Sequence, residues 1–170
     1  MSTSSNADEA GKAEFDSATA DRHYSTRCFN ETWTYLDKER LTPEEVDAML
    51  HTAHASYYHW TKRDDFTPRN QSIGLWQLSR VYLAASHSYL GVHYARECIK
   101  VSEAAELDPF YLAYAYEAMA RAQIEVGLTG EAERSLAYAR ELAAKVKDKQ
   151  ERKALNTDLD SVEVEIEKHT

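Results

Sequence analysis

The sequence predicts an all-α protein of about seven helices packed in antiparallel pairs. Three observations point there. Glycine and proline are scarce, five and three in 170 residues, and the alanine- and charge-rich remainder suits helices better than sheets. Apolar side chains recur at helical spacing along most of the chain. Finally, each proline follows a capping side chain, in Thr42-Pro43, Thr67-Pro68 and Asp108-Pro109, where a first helical turn tolerates a residue without an amide proton.

Residues 1–20 carry almost no large apolar side chain. Burial cannot offset their ordering entropy, so a disordered tail is expected there, followed by a single domain over 21–170. A first helix is expected from about Arg22 to Lys38, with Tyr24, Cys28, Trp33 and Leu36 available for packing. Thr42-Pro43-Glu44-Glu45 reads as a capping box opening the second helix, whose apolar stripe is Val46, Met49, Leu50, Ala53, Tyr57 and Trp60. The segment 62–69 is a charged turn. The third helix, about Asn70 to Ala85, has two distinct sides: Leu75, Leu78, Tyr82 and Ala85 on one, and Ile73, Trp76, Arg80 and Leu83 on the other. A fourth follows from about Tyr89 to Ala105, with Tyr94, Cys98, Val101 and Ala105 in line.

The stretch from Asp108 to Leu142 reads as two antiparallel helices around the break Gly127-Leu128-Thr129-Gly130. Asp108 is placed to cap the first of them. That helix carries Ala113, Tyr116 and Ala120 on one side, with Gln123 as the polar end, and Tyr114, Glu117, Arg121 and Glu125 on another. The last helix, about Asp148 to Glu167, presents Leu155, Leu159, Val162 and Ile166 on one side and charge elsewhere.

Within the fifth and sixth helices, Tyr116, Met119, Ala120, Gly127, Ala132, Leu136 and Ala139 stand at the spacing of large, small and turn residues in a tetratricopeptide repeat, which this stretch resembles. Gln123 and Ala144 depart from that pattern. A second match runs through Leu75, Leu78, Ser79, Tyr82, Ser86, Gly91, Ala95 and Cys98. The two registers lie about 41 residues apart, with Arg80 aligned to Arg121, against about 34 in the usual repeat; longer helices or a looser segment at 102–109 are the two ways to reach that spacing. The chain also resembles small bacterial helical-repeat proteins. The resemblance implies a short right-handed array with a concave surface lined by the odd-numbered helices, and a C-terminal capping helix.

Composition narrows the partners. A formal net charge of -9 argues against a nucleic-acid surface, which needs a basic stripe. No apolar run approaches the ~20 residues needed to span a bilayer, and MSTSSNADEAGKAEF has neither the basic nor the apolar region of a secretory signal. A cytoplasmic location with Cys28 and Cys98 as reduced thiols is the expectation.

Two clusters offer chemistry. Carried over position by position, the resemblance puts Ile73, Trp76, Arg80 and Leu83 beside Tyr114, Glu117, Arg121 and Ile124 on the concave surface. Two guanidiniums at one height can clamp a carboxylate or phosphate, with Trp76 as a flat wall. The plainer alternative is that Glu117 and Arg121 pair along their own helix at i, i+4. The second cluster is His51, His54 and Tyr58, beside the apolar stripe of the second helix. Two histidines at i, i+3 can share a divalent transition metal, with Asp47 one turn earlier as a further ligand. Structural histidines bonded to a tyrosine or a carbonyl are the alternative, and a polar ligand pocket is a third. No cofactor motif accompanies either cluster.

Joined, the clusters would make one pocket in which His51 or His54 approaches Arg80 and Trp76, facing Glu117 and Arg121. Two functional readings follow. One is a non-catalytic binding protein holding a peptide or small anionic ligand in a groove. The other is a small enzyme or a ligand or metal sensor using the His/Arg/Glu pocket. Homodimerisation through the aromatic surfaces would bury the same groove.

Overall fold

The computed structural model describes residues 16–169, and these form seven helices and no strand: α1 (Ser17–Leu36), α2 (Pro43–Thr61), α3 (Pro68–Ala84), α4 (Ser88–Ala104), α5 (Pro109–Glu125), α6 (Thr129–Ala143) and α7 (Lys149–Lys168). Each helix packs on its neighbour in the chain. α1 also approaches α3, α3 approaches α5, and α5 approaches α7. Among the described residues no Cα of one even-numbered helix comes within 8 Å of another even-numbered helix. The odd helices therefore form the shorter, inner row of a curved two-row array.

Local chemistry explains the starts. Thr42 and Thr67 each make a reciprocal capping box, with Glu45 and Asn70 respectively, and a proline follows both. Asp108 Oδ1 accepts from the Phe110 amide at 3.0 Å, and Asp148 Oδ1 accepts from the amides of Gln150 and Glu151. The ends of α3, α4 and α5 share one device. His87 N–H donates to Tyr82 O, Leu107 to Ser102 O and Leu128 to Gln123 O, each across a residue of positive φ: Ser86, Glu106 and Gly127.

α1 starts earlier than the apolar pattern suggests. Asp16 Oδ1 accepts from the amides of Ala18 and Thr19, so Ser17–Ala20, expected within a disordered tail, form the first turn; the rest of that expectation, residues 1–15, lies outside the described residues. The buried positions of α1 also differ from the expected ones. They are Ser25 and Thr32, while Tyr24 is exposed. Small polar residues let α1 come close: the Ser25 carbonyl accepts from Ser56 Oγ at 2.8 Å, and the Phe29 carbonyl accepts from Gln77 Nε2 at 3.0 Å.

Helix length accounts for the 41-residue offset between Arg80 and Arg121. α3 and α4 have 17 residues each, and the connection at 105–108 is tight rather than loose. Small side chains hold the centre together. α4 buries Gly91, Ala95, Cys98 and Ser102, and α5 buries Ala113, Ala115, Ala118, Ala120 and Ala122, so that α5 can touch α3, α4, α6 and α7. The largest apolar cluster joins α5 and α6 to the Leu155, Leu159, Val162 and Ile166 stripe of α7, as the spacing predicted. Both cysteines are free thiols. No helix among the described residues is long and apolar enough to cross a membrane.

Candidate functional site

The inner row divides into an aromatic half and a charged half. The charged half centres on Glu117, whose side chain is 0% exposed. Its Oε2 accepts from the Trp76 indole N–H at 3.0 Å, and its Oε1 accepts from Arg80 Nη1 at 3.2 Å and from Arg121 Nε. Arg121 continues the network onto α7. Its Nη2 donates to the Asp158 carbonyl at 3.1 Å and to Ser161 Oγ at 2.5 Å, while Nη1 donates to Glu165 at 3.3 Å. Tyr114 O–H donates to Asp158 Oδ2 at 2.8 Å.

Arg80 and Arg121 do converge, and Glu117 and Arg121 do pair at i, i+4. The carboxylate held between the two guanidiniums is the protein's own. Burial opposes the charge on Arg121, but the carboxylates of Glu117, Glu165 and Asp158 outweigh it, so its pKa lies above the ordinary arginine value. The Tyr114 hydroxyl is pushed well above the tyrosine range, by burial first and by its bond to the Asp158 carboxylate second.

The aromatic half lies toward the N-terminal ends of α3 and α5. Rings follow one another from α1 to α5: Phe29 and Trp33 at 6.4 Å between centroids, Trp33 and Trp76 at 5.4 Å, Trp76 and Tyr114 at 5.2 Å, and Tyr114 and Phe110 at 5.0 Å. All of them are partly exposed. Two cavities flank Ile73 along this row. One of ≈ 330 Å³ lies between α3 and α5 against Trp76, Phe110, Tyr111 and Tyr114. The other, ≈ 170 Å³, lies against Thr26, Phe29, Trp60 and Asn70.

No known protein family, curated protein or solved structure matches this chain. What the site does is therefore read from its own chemistry.

The histidines stand elsewhere, which corrects the joined pocket. His54 Nε2 is bonded to Tyr82 O–H at 2.8 Å, and its ring meets Tyr82 and Tyr94 edge-on. Residues 80 and 82 of a helix point to opposite sides, so Tyr82 takes His54 to one side of α3 while Arg80 reaches Glu117 on the other. Burial holds the His54 pKa below the usual histidine value, and the neighbouring His51 adds to that. His51 and Asp47 are exposed, and Tyr58 is exposed under the Lys62 ammonium. Among the described residues no three His, Cys, Asp or Glu side chains converge as metal ligands. His54 thus stands bonded to a tyrosine between two aromatic rings.

Sequence reasoning missed Asp158, Ser161 and Glu165, which it left on the solvated side of α7. Their i, i+3, i+7 spacing places them in one line beside the apolar stripe, and that line was the available signal. Phe29, Phe110 and Trp33 were also missed as parts of the groove.

Proposed function

We propose that this protein is a tetratricopeptide-like binding module that holds a peptide along its inner row of odd helices. The observation that carries the reading is the partly exposed aromatic row, with two cavities in line on either side of Ile73. Such rings have no structural need for water contact, and concave, mostly apolar surfaces with a few fixed polar groups are where ligands bind. Two adjacent cavities on one wall suit alternate side chains, i and i+2, of an extended chain better than one compact molecule. The packing of odd helices on odd helices supports the repeat-like arrangement. The charged half supports the groove from behind: its guanidiniums are bound to Glu117, so the guest's main anchors are apolar and aromatic contacts rather than an anion clamp.

The test is selection of peptides from a displayed random library on the full chain, followed by calorimetric titration of the enriched peptides into wild type and Ile73→Asp. Micromolar binding to the wild type that is lost in the variant, with an unchanged helical circular dichroism spectrum, is the expected result. Failure to enrich any peptide, or equal binding to both proteins, would overturn the reading.

A further inference from the structure

The cavity between α3 and α5 has the construction of a receptor for a positively charged group. Its rings form a box rather than a stack. Trp76 and Tyr114 meet at 65°, Phe110 and Tyr114 at 80°, and Phe110 and Tyr111 at 87°, with neighbouring centroids 5.0–5.3 Å apart. Ser72 and Ile73 complete the lining, and no charged side chain takes part in it. Aromatic rings lining a cavity attract a cation that meets their faces through the ring quadrupoles, most strongly where water is displaced.

The electrostatics behind the walls point the same way. Two of the three polar ring groups in the lining donate to carboxylates: Trp76 Nε1–H to Glu117 and Tyr114 O–H to Asp158. A ring that donates a hydrogen bond to an anion becomes richer in electrons on its face, which strengthens its attraction for a cation. Around those walls stand three carboxylates, Glu117, Asp158 and Glu165, against two guanidiniums, Arg80 and Arg121. Arg121 is almost wholly buried in bonds to Glu117 and α7. Arg80 lies one turn beyond Trp76, is bonded to Glu117, and lines a different cavity with Glu125 and Glu165. Within that network carboxylates outnumber guanidiniums, and the chain as a whole carries a formal net charge of -9.

We propose that the group this cavity takes is the ammonium or guanidinium end of a lysine or arginine side chain in the bound peptide. The inference rests on the peptide-binding reading above and specifies the chemistry of its anchor. A peptide rather than a free small cation is the occupant because the row continues past Ile73 into the second cavity, which a small cation filling the first would leave empty.

The test uses choline as the bare cationic probe, 3,3-dimethyl-1-butanol as its uncharged isostere and acetyl-arginine methylamide as the side-chain probe. Each is titrated into the full chain while the Trp76 indole N–H resonance is followed. Both cations should shift that resonance saturably, and the neutral isostere should bind at least about tenfold more weakly. Tyr111→Lys places a like charge in the lining without touching the Glu117 network, and should abolish the response to both cations. In the library-selected peptides, replacing each lysine or arginine in turn with norleucine should weaken binding at least about tenfold at one position. Equal binding of choline and the alcohol, no response to either cation, or selected peptides indifferent to norleucine would each overturn the cationic anchor. The peptide reading would still stand or fall on Ile73→Asp. Tight choline binding without any for the arginine probe would overturn the peptide source in favour of a free quaternary ammonium.

Discussion

Trp76 on α3 donates its indole N–H to Glu117 on α5 across 3.0 Å, and the two residues stand 41 positions apart, the same offset that separates Arg80 from Arg121. Donor on one odd-numbered helix and acceptor on the next, they make the contact between α3 and α5 directional. The bond fixes the indole against the aromatic row on one side and seats the carboxylate between Arg80 and Arg121 on the other. The groove wall and the charged network are thus parts of one arrangement, and damage to Glu117 should be felt in both.

Glu117→Gln should cost about 3 kcal/mol, because it leaves Arg121 buried without its main counter-charge. Urea unfolding with an unchanged m-value measures this directly. Arg121→Met should be similarly costly. The double variant Glu117→Gln with Arg121→Met should lose less than the sum of the single losses, since Arg80, 26% exposed, can turn to water. Strict additivity would mean the pair is not coupled as the geometry implies.

The three repeated helix ends give a prediction with opposite signs. Glu106 has φ 48° and, among the described residues, no ion pair or side-chain hydrogen bond, and Ser86 has φ 60°. Glycine is the residue that this left-handed position favours. Glu106→Gly should therefore stabilise the fold by about 0.5–1 kcal/mol, or about 1–4 °C in melting temperature, while Gly127→Ala should destabilise it by a similar amount. Calorimetric melting of the two variants checks both signs.

Gly74 faces Tyr57 so closely that a β-carbon there would lie 2.6 Å from Tyr57 Cδ2. The Tyr57 ring packs into two apolar clusters and has little room to retreat. Gly74→Ala should cost about 1–3 kcal/mol despite the better helix propensity of alanine. Gly130→Ala, whose nearest neighbour would be the Arg134 side chain at 4.0 Å, should be neutral or mildly stabilising. Chemical denaturation of the pair separates steric cost from propensity.

Much of the fold was legible because its signals are local. The Thr42 capping box, the Asp108 cap and the Leu155–Ile166 stripe depend on residues a turn or less apart, and all stand where the spacing put them. The start of α1 was not legible, since a turn of Ser, Ala and Thr held by Asp16 has no apolar period to read. The site was legible by half. The register alignment brought Arg80 and Arg121 together, but which anion they hold depends on what α5 and α7 present from the interior. Asp158 and Glu165 look alike in sequence whether they face water or a buried guanidinium. The side of α3 that receives His54 is likewise a matter of helix packing, not of spacing along α2.

His54 supplies the pH dependence. Its ring is held by Tyr82 and Tyr94, and burial, with the neighbouring His51 acting the same way, keeps its folded-state pKa below the value of about 6.5 expected for the unfolded chain. Between those two values the unfolded state binds the proton and the folded state does not. Stability contributed by the neutral ring is therefore complete above the unfolded value and falls as the pH drops through it, continuing to fall until the folded-state value is reached. The wild-type melting temperature should decline from pH 7 to pH 5. His54→Gln, which keeps a polar group within reach of the Tyr82 hydroxyl but cannot titrate there, should show a shallower decline over the same range. Parallel curves for the two proteins would mean that His54 carries its charge as readily when folded as when unfolded, and the buried, tyrosine-bonded ring would then have to open to water at neutral pH.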